Sequence, residues 1–169
     1  MDARERMKAG VKWMWSLGDY ARVAERLMPC AEQLADVIGV GPGMRVLDVA
    51  AGNGNFAIAA ARRGATVVAS DLTPHMVELG AARSTTEGLD IAWCEADAEQ
   101  LPFDDDQFDL VASLFGAMFA PFPERVAAEL FRVATPGGRV AMANYAEAGF
   151  LGEFSRLLLR FGLASPNPY

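Results

Sequence analysis

The chain is poor in the residues that build metal centres and disulfide frameworks. Its 169 residues include two cysteines, Cys30 and Cys94, and one histidine, His75. The cysteines do not have the close spacing of zinc ligands, and two thiols in a chain of this length do not make a disulfide framework. The composition therefore predicts no metal site. Both thiols are expected to be reduced and buried, as in a cytoplasmic protein.

The chain also lacks long apolar runs and an excess of basic residues. No run reaches the roughly 18 apolar residues that a membrane-spanning helix requires, and the charged N-terminus is not followed by the apolar core of a signal peptide. The net charge is −7, and an acidic surface argues against a nucleic-acid partner because phosphate backbones are bound by basic residues. Apolar residues make up 52% of the chain, which is enough for one domain with a packed core.

The most informative segment is the stretch 46–55, in which an apolar run containing Asp48 leads directly into a loop with Gly52 and Gly54. The residues that follow, 56–61, favour a helix. A strand, a tight turn and a helix in this order are typical of the entry to a nucleotide-type site on an α/β sheet. The two glycines allow the backbone to turn sharply and to approach a ligand, because neither has a Cβ atom.

Short apolar, β-branched runs alternate with helical segments along most of the chain. Strands are predicted at 45–49, 66–70, 91–94, 108–113 and 139–144, helices at 55–63, 75–87 and 123–134, and a turn at 136–138. Parallel strands need crossovers of this kind, so the pattern predicts a Rossmann-like, doubly wound α/β fold with a mainly parallel sheet of about five strands and flanking helices. The N-terminal residues favour helices, with a break near Gly18 or Pro29 and a second helix over 30–38.

An acidic residue lies at or just after the end of each of the first three predicted strands. Asp48 is near the end of the first strand, Asp71 follows the second and Asp97 follows the third. Since ligands of open parallel sheets bind beyond the carboxyl ends of the strands, we expect the three carboxylates to face one crevice. A carboxylate after the second strand suits a ribose, because it can accept hydrogen bonds from two hydroxyl groups.

Two classes of cofactor fit the glycine loop. Residues 52–57 match the dinucleotide pattern G-x-G-x-x-A, and Asp71 lies 19 residues after Gly52, close to the spacing of a nicotinamide site. Asp48 argues against this class, because a pyrophosphate on the loop would lie near a charge of the same sign. S-adenosylmethionine carries no phosphate, and its ammonium and sulfonium groups are attracted by Asp48. A nicotinamide-dependent oxidoreductase therefore remains as the less favoured alternative.

Several segments together resemble the class I S-adenosylmethionine-dependent methyltransferases, and they are most similar to the type 11 small-molecule subgroup that includes quinone-biosynthesis enzymes. The matching segments are 46–54, 70–72, 95–103, 108–111 and 136–139. They follow the family's order and spacing over about residues 40–145. The resemblance implies S-adenosylmethionine as cofactor, S-adenosylhomocysteine as product and methyl transfer as the activity.

The resemblance also implies the roles of individual residues. Asp48 helps to hold the methionine part of the cofactor, Asp71 accepts from the ribose hydroxyls, and Asp97 accepts from the adenine amino group. Tyr20 belongs to an N-terminal helix that closes over the cofactor as a lid. The other cofactor-binding positions that the resemblance implies are Ala50, Gly52, Asn53, Gly54, Leu72, Met76, Ala98 and Ser113.

The methyl acceptor is expected near the end of the fourth strand, over residues 113–119. Phe115, Met118 and Phe119, together with Trp15 from the N-terminal helices, are the candidate acceptor-binding residues. An apolar wall of this kind suits a small aromatic or hydrophobic acceptor. No catalytic residue is identified, because methyl transfer from a sulfonium is an in-line displacement in which the protein mainly positions the reactants. A carbon or phenolate acceptor needs no strong base.

The resemblance divides the chain into three parts. Residues 1–38 form an N-terminal helical lid, residues 39–145 the S-adenosylmethionine-binding domain, and residues 146–169 a C-terminal helix and tail. The family's sheet usually continues with a helix and two more strands, for which the last part is too short. We therefore expect a fragment, a naturally short form, or a chain that completes its sheet by strand exchange in a homodimer. A non-catalytic module that binds the cofactor or its product is the first alternative function.

Overall fold

The structure is a computed structural model in which residues 3–17, 20–146, 148–149, 152–153, 156–157 and 160 are described. The predicted C-terminal helix and tail lie largely outside these residues. The helices are α1 Ala3–Trp15, α2 Tyr20–Ile38, α3 Asn55–Arg62, α4 Pro74–Thr86 and α5 Pro123–Val133. The strands are β1 Arg45–Val49, β2 Thr66–Asp71, β3 Ile91–Glu95, β4 Phe108–Leu114 and β5 Ala134–Ala143.

These five strands form one sheet in the order β3-β2-β1-β4-β5, and every neighbouring pair is parallel. The predicted Rossmann-like α/β fold is confirmed. The bounds of the first four strands and of α3, α4 and α5 differ from the predicted ones by no more than one residue at either end. The strand order reverses between β1 and β4, which is where a doubly wound sheet opens a crevice for a ligand.

Helix α2 continues through Pro29, so the predicted second helix over 30–38 begins too late: the helix starts at Tyr20. A proline inside a helix costs about 3 kcal/mol or more. Three alanines along one face, Ala24, Ala31 and Ala35, are fully buried, and the packing of this face stabilises the helix in spite of the proline. Neither α2 nor any other helix in the described ranges is long and apolar enough to cross a membrane.

Strand β5 begins earlier than the sequence predicts, at Ala134 rather than Arg139. Phe108 of β4 pairs with Ala134, whereas Leu110 pairs with Arg139, so the extra residues form an irregularity within the strand instead of a turn before it. Gly137, with φ +82°, lies in this segment. A bulge of this kind inserts unpaired residues without ending the ladder. The prediction of a turn followed by a strand from residue 139 is therefore wrong, although the strand itself is present.

The core lies on both faces of the sheet. Val46 of β1 belongs to a cluster that includes Phe56 and Ile58 of α3, whereas the next residue, Leu47, belongs to a second cluster with Leu130 of α5. Successive strand residues point to opposite faces, which explains the division. Among the residues that the structure describes, neither cluster includes a side chain of α1. This helix is therefore attached to the domain by other contacts.

The two thiols differ in exposure. Cys94 on β3 is half-buried, but Cys30 on α2 is exposed. The expectation that both thiols are buried is therefore wrong for Cys30. The helix buries a narrow face of small residues, and Cys30 lies beside this face, next to Ala31, where a residue can remain in contact with solvent.

Trp93 of β3 fills the space between the sheet and α4, and it leaves no room for a side chain at Gly80. A Cβ atom at Gly80 would lie 2.1 Å from the Trp93 ring. The indole is held in place, since its Nε1 donates to Ser84 Oγ at 3.2 Å. We expect Gly80→Ala to lower the free energy of unfolding by about 1–3 kcal/mol, as overpacking of a core does. Urea unfolding followed by circular dichroism measures this loss.

Gly10→Ala is the matched control, because Gly10 also lies inside a helix but has no atom within 4 Å of the position of an added Cβ. Alanine is a better helix former than glycine by about 1 kcal/mol. The control variant is therefore expected to be as stable as the unmodified protein or slightly more stable. Equal stabilities of the two variants would contradict the packing of Trp93 against Gly80.

Candidate functional site

One carboxylate ties the glycine loop after β1 to the loop after β2. Asp71 accepts on Oδ2 from the backbone N–H of Gly52 (2.8 Å) and on Oδ1 from the backbone N–H of Thr73 (2.8 Å). Burial raises the pKa of Asp71, and the two N–H groups oppose this shift. Gly52 and Gly54 have φ of +57° and +88°, conformations that glycine adopts without strain. The loop thus makes a sharp turn whose shape depends on Asp71.

Asp48 lies behind the glycine loop and is 1% exposed. Its Oδ2 accepts from the backbone N–H of Ala57 in the first turn of α3 (2.9 Å). Its Oδ1 is buried and has no hydrogen-bond partner within the described part of the chain. Burial raises the pKa of Asp48 to about 8, the Ala57 N–H opposes the shift, and the nearby Asp71 adds to it. The carboxyl group is therefore mainly protonated at neutral pH until a positive charge approaches.

The loops after β1 and β4 approach so closely that Gly116 has no room for a side chain. A Cβ atom there would lie 2.1 Å from the carbonyl oxygen of Ala50. Ala50 and Phe115 have positive φ values of +54° and +60°, a region that non-glycine residues rarely occupy. Such strain is concentrated at ligand sites. Here it lies beside the point where the strand order reverses.

A cleft opens at this point, between the carboxyl ends of the strands and the N-terminal helices. Its lining combines apolar side chains with a few polar ones, as small-molecule sites do. Side chains of Lys8, Val11 and Trp15 bring α1 into the wall of the cleft, and Tyr20 brings in the start of α2. The N-terminal helices therefore form part of the wall of the cleft, and their role as a lid stays a prediction.

Eight of the predicted cofactor-binding residues line this cleft, in two groups. The first group lies around the glycine loop and consists of Tyr20, Ala50, Gly52 and Asp71. The second group lies towards α4 and the loop after β3 and consists of Leu72, Met76, Asp97 and Ala98. Residues from four separate segments of the sequence are thus brought together at one edge of the sheet. Their roles in binding stay predictions.

Four predicted cofactor-binding residues lie outside the lining of the cleft. Asp48 and Asn53 line a smaller adjoining pocket, which shares Tyr20 and Phe115 with the cleft. Gly54 faces Trp93, because a Cβ atom there would lie 2.6 Å from the indole. Ser113 is buried, and its Oγ accepts from the backbone N–H of Ala117 (2.9 Å). In this arrangement these residues shape the loops around the cleft.

Two residues that the sequence analysis missed lie beside Asp97. Lys8 of α1 forms ion pairs with Asp97 and with Glu99, the latter at 2.8 Å between Nζ and Oε2. Asp97 Oδ1 also accepts from the backbone N–H of Glu99 (3.0 Å). The sequence contained two signals for this contact. Lys8 and Lys12 are four residues apart on α1, and acidic residues occupy every second position from the end of β3, at Glu95, Asp97 and Glu99. Only the fold shows that the two patterns meet.

Aromatic side chains from α1 and from the segment after β4 line another part of the cleft. Trp15 lies edge to face on Phe119 and on Tyr20, with ring centroids 5.3 and 5.6 Å apart. Phe115 also lines the cleft, and its ring stacks on Tyr145 at 4.5 Å. Of the four predicted acceptor-binding residues, Trp15, Phe115 and Phe119 are therefore in the wall, whereas Met118 is not among the residues that line it. These rings give this part of the cleft an apolar, aromatic surface.

Tyr20 lies directly over the glycine loop. A Cβ atom at Gly52 would be 3.1 Å from the tyrosine ring, so the two residues are in contact. Burial raises the pKa of Tyr20 to about 12, and the nearby Tyr145, Asp71 and Asp48 add to the shift. The hydroxyl group therefore stays protonated at all physiological pH values and is able to donate a hydrogen bond.

The residues at the cleft fit S-adenosylmethionine better than a dinucleotide. Two buried carboxylates, Asp48 and Asp71, flank the glycine loop. The unpartnered Oδ1 of Asp48 is a place for positive charge, because a cationic ligand favours the ionised carboxylate. A pyrophosphate gains no such partner from Asp48 in either protonation state. Lys8, a cation in the described wall, is already paired with carboxylates. The fold and the site together define a class I S-adenosylmethionine-dependent methyltransferase domain.

Comparison with known sequences gives the family. The sequence profile of the methyltransferase domain family, type 11, matches residues 47–142, which is more than half of the chain. The chain belongs to this family of methyltransferase domains, and S-adenosylmethionine is its cofactor.

Two curated relatives are similar to the chain in sequence, and one solved structure is similar to it in fold. An uncharacterized protein of Mycobacterium tuberculosis is 46% identical, over 92% of this chain and 54% of its own length. The demethylmenaquinone methyltransferase of Clavibacter sepedonicus is 42% identical, over 61% of this chain and 42% of its own length. A SAM dependent methyltransferase from Aquifex aeolicus has the same fold, with a TM-score of 0.69 at 21% identity over 86% of this chain and 89% of that chain. The chain spans about half the length of the curated relatives.

Proposed function

We propose that the protein transfers a methyl group from S-adenosylmethionine to a small aromatic or hydrophobic acceptor. The observation that carries the proposal is the mixed lining of the cleft, which includes the carboxylates of Asp71 and Asp97 and the aromatic side chains of Trp15, Phe115 and Phe119. The carboxylates suit a ribose and positively charged groups, and the aromatic wall suits the acceptor. One cavity thus holds both partners of a direct transfer side by side.

In this mechanism the side chains position the reactants and exclude water. S-adenosylmethionine supplies a methyl group on a positively charged sulfur. Asp71 accepts hydrogen bonds from the ribose while it keeps the glycine loop in shape, and the Asp48 carboxylate balances the positive charge. Trp15 and Phe119 hold the acceptor in line by contact with its flat face. Correct alignment of two bound reactants removes much of the entropic part of the barrier.

The acceptor is expected to be nucleophilic without the help of a strong base. The hydroxyl of Tyr20 stays protonated because its pKa is raised to about 12. His75 is exposed at the start of α4, and it does not line the cleft in the described part of the chain. An activated carbon or a phenolate can accept a methyl group under these conditions, whereas a neutral alcohol cannot. The demethylmenaquinone methyltransferase among the relatives supports a hydroxylated ring as the first acceptor to test.

Calorimetric titration with S-adenosylhomocysteine tests the cofactor part of the proposal, and NADH is the control ligand. We expect micromolar binding of S-adenosylhomocysteine and no binding of NADH. Mass spectrometry of reactions with S-adenosylmethionine and a panel of naphthoquinols and phenols then tests methyl transfer. Tight binding of NADH alone would favour an oxidoreductase. Cofactor binding without a methylated product from any member of the panel would favour a non-catalytic binding module.

A further inference from the structure

Helix α1 covers the cleft but is attached to the domain by few apolar contacts. The two core clusters, over the described residues, contain no side chain of this helix. Trp15 contacts Phe119 and Tyr20 at one end of α1. The rest of the described attachment includes the ion pairs of Lys8 and Lys12. The position of the helix therefore depends strongly on charge.

The two lysines occupy very different surroundings. Lys8 lines the cleft, its side chain is 14% exposed, and it bridges Asp97 and the fully buried side chain of Glu99. Lys12 pairs with Glu95 at 2.5 Å, but both side chains are largely exposed. Exposed pairs contribute about 0–1 kcal/mol, whereas removal of one partner from a buried pair leaves a costly uncompensated charge. Lys8 is thus expected to matter far more than Lys12.

Glu99 extends the contact to the acceptor side of the cleft. Its Oε2 pairs with Lys8, and its Oε1 accepts from the backbone N–H of Phe122 at 3.1 Å. Phe122 directly precedes α5 and follows the segment that carries Phe119. A single buried carboxylate therefore connects the covering helix with the loop that forms the acceptor wall.

We propose that Lys8 is a positioning residue that holds α1 over the bound cofactor and keeps Asp97 in place. The inference rests on the proposed function, because Asp97 is expected to accept from the adenine amino group. Without the ammonium group, Asp97 and Glu99 repel each other and Glu99 remains buried with its charge less well balanced. The helix then opens, Asp97 turns away from the adenine position, and the cofactor leaves faster.

The test compares Lys8→Met, Lys8→Arg and Lys12→Met in the complete 169-residue chain. The dissociation rate of S-adenosylhomocysteine is measured by stopped-flow tryptophan fluorescence, and its affinity by calorimetry. We expect Lys8→Met to weaken binding about tenfold, mainly through faster dissociation. Lys8→Arg keeps the charge and is expected to retain most of the affinity. Lys12→Met is expected to change the affinity by less than about twofold.

Ionic strength separates this role from a purely structural one. The dissociation rate of the unmodified protein is expected to rise between low and high salt, and the rate of Lys8→Met is expected to change much less. The unfolding midpoint without ligand is expected to fall for Lys8→Met, because the buried Glu99 loses a partner. The dependence of the dissociation rate on salt, measured on the folded variant, is therefore the readout that reports positioning. Glu99→Gln tests the same ion pair from the other side. It removes the negative charge that pairs with Lys8, while the amide oxygen of glutamine can still accept from the backbone N–H of Phe122. Its effect should not add to that of Lys8→Met.

The failure of this inference is distinct from the failure of the proposed function. If the unmodified protein does not bind S-adenosylhomocysteine, the proposed function itself is wrong. If it binds, but Lys8→Met and Glu99→Gln bind equally well and show the same dependence on salt, the positioning role of Lys8 is overturned. Equal losses in Lys8→Met and Lys12→Met would also overturn it, because the buried site would then have no special importance.

Discussion

Asp71→Ala is expected to weaken the binding of S-adenosylhomocysteine by about 100-fold, because a hydrogen bond to a charged group contributes about 1.5–3 kcal/mol and the ribose offers two donors. The same substitution should also lower the stability of the free protein. The backbone N–H groups of Gly52 and Thr73 both donate to this carboxylate, and each buried donor left without a partner costs about 1–3 kcal/mol. Calorimetry measures the affinity, and urea unfolding measures the stability.

Asp109→Ala is the matched control for this substitution. Asp109 also accepts from a backbone N–H, that of Arg45 at 2.8 Å, but it lies at the start of β4, at the opposite end of the sheet from the cleft. Its side chain is 40% exposed, so water can replace the lost hydrogen bond. We expect unchanged affinity and a small loss of stability. A folded Asp71→Ala variant with the affinity of the unmodified protein would show that the ribose binds elsewhere.

Much of the fold could be predicted because the local signals and the tertiary contacts agree. β1 is a short run with four buried residues, among them Val46 and Val49, and Gly52 marks the turn that follows it. Pro29 was misleading because local propensity favours a helix break there, whereas the buried alanine face of α2 outweighs it. The irregular start of β5 was missed for the same reason. Glycine and proline at 136–138 read as a turn, but the ladder with β4 continues on both sides of them.

The sequence predicted those site residues whose positions follow from the carboxyl ends of the strands. Asp71 and Asp97 line the cleft because the parallel order of β1, β2 and β3 brings their carboxyl ends to one edge. The hydrogen-bond partners of these carboxylates were not predictable, since they come from neighbouring loops and from α1. Lys8 is 89 residues from Asp97 in the sequence. No local pattern shows which acidic residues a helix at that distance will reach.

The second large effect concerns Asp48, where we expect opposite changes in stability and in cofactor binding. Asp48→Asn should make the free protein more stable than the unmodified protein, by an amount that grows as the pH rises towards 8. It should also weaken the binding of S-adenosylmethionine, because a neutral amide cannot balance the positive charge. The amide oxygen of asparagine can still accept from the backbone N–H of Ala57, so the helix start is preserved. The two effects arise from the same buried charge.

The dependence on pH identifies that charge. The pKa of Asp48 is raised from 3.8 to about 8 in the folded protein, so between these values the native state holds a proton that the unfolded state has lost. The contribution of this group to stability is therefore greatest below pH 3.8, and it falls by about 1.4 kcal/mol per pH unit as the pH rises towards 8. Asp48→Asn removes this decline, so the stability difference between the two proteins should already be present at pH 5 and should grow steadily from pH 5 to pH 8.

Urea unfolding at pH 5, 6, 7 and 8 measures the separation, and calorimetry at the same pH values measures the affinity for S-adenosylmethionine. The affinity of the unmodified protein should rise over this range, because a larger fraction of Asp48 is ionised before the ligand binds, and the affinity of the variant should not. Parallel stability curves would mean that Asp48 is ionised throughout. Other groups of the protein would then balance the negative charge of Asp48. Its unpartnered Oδ1 would not be the atom that recognises the positive charge of the cofactor.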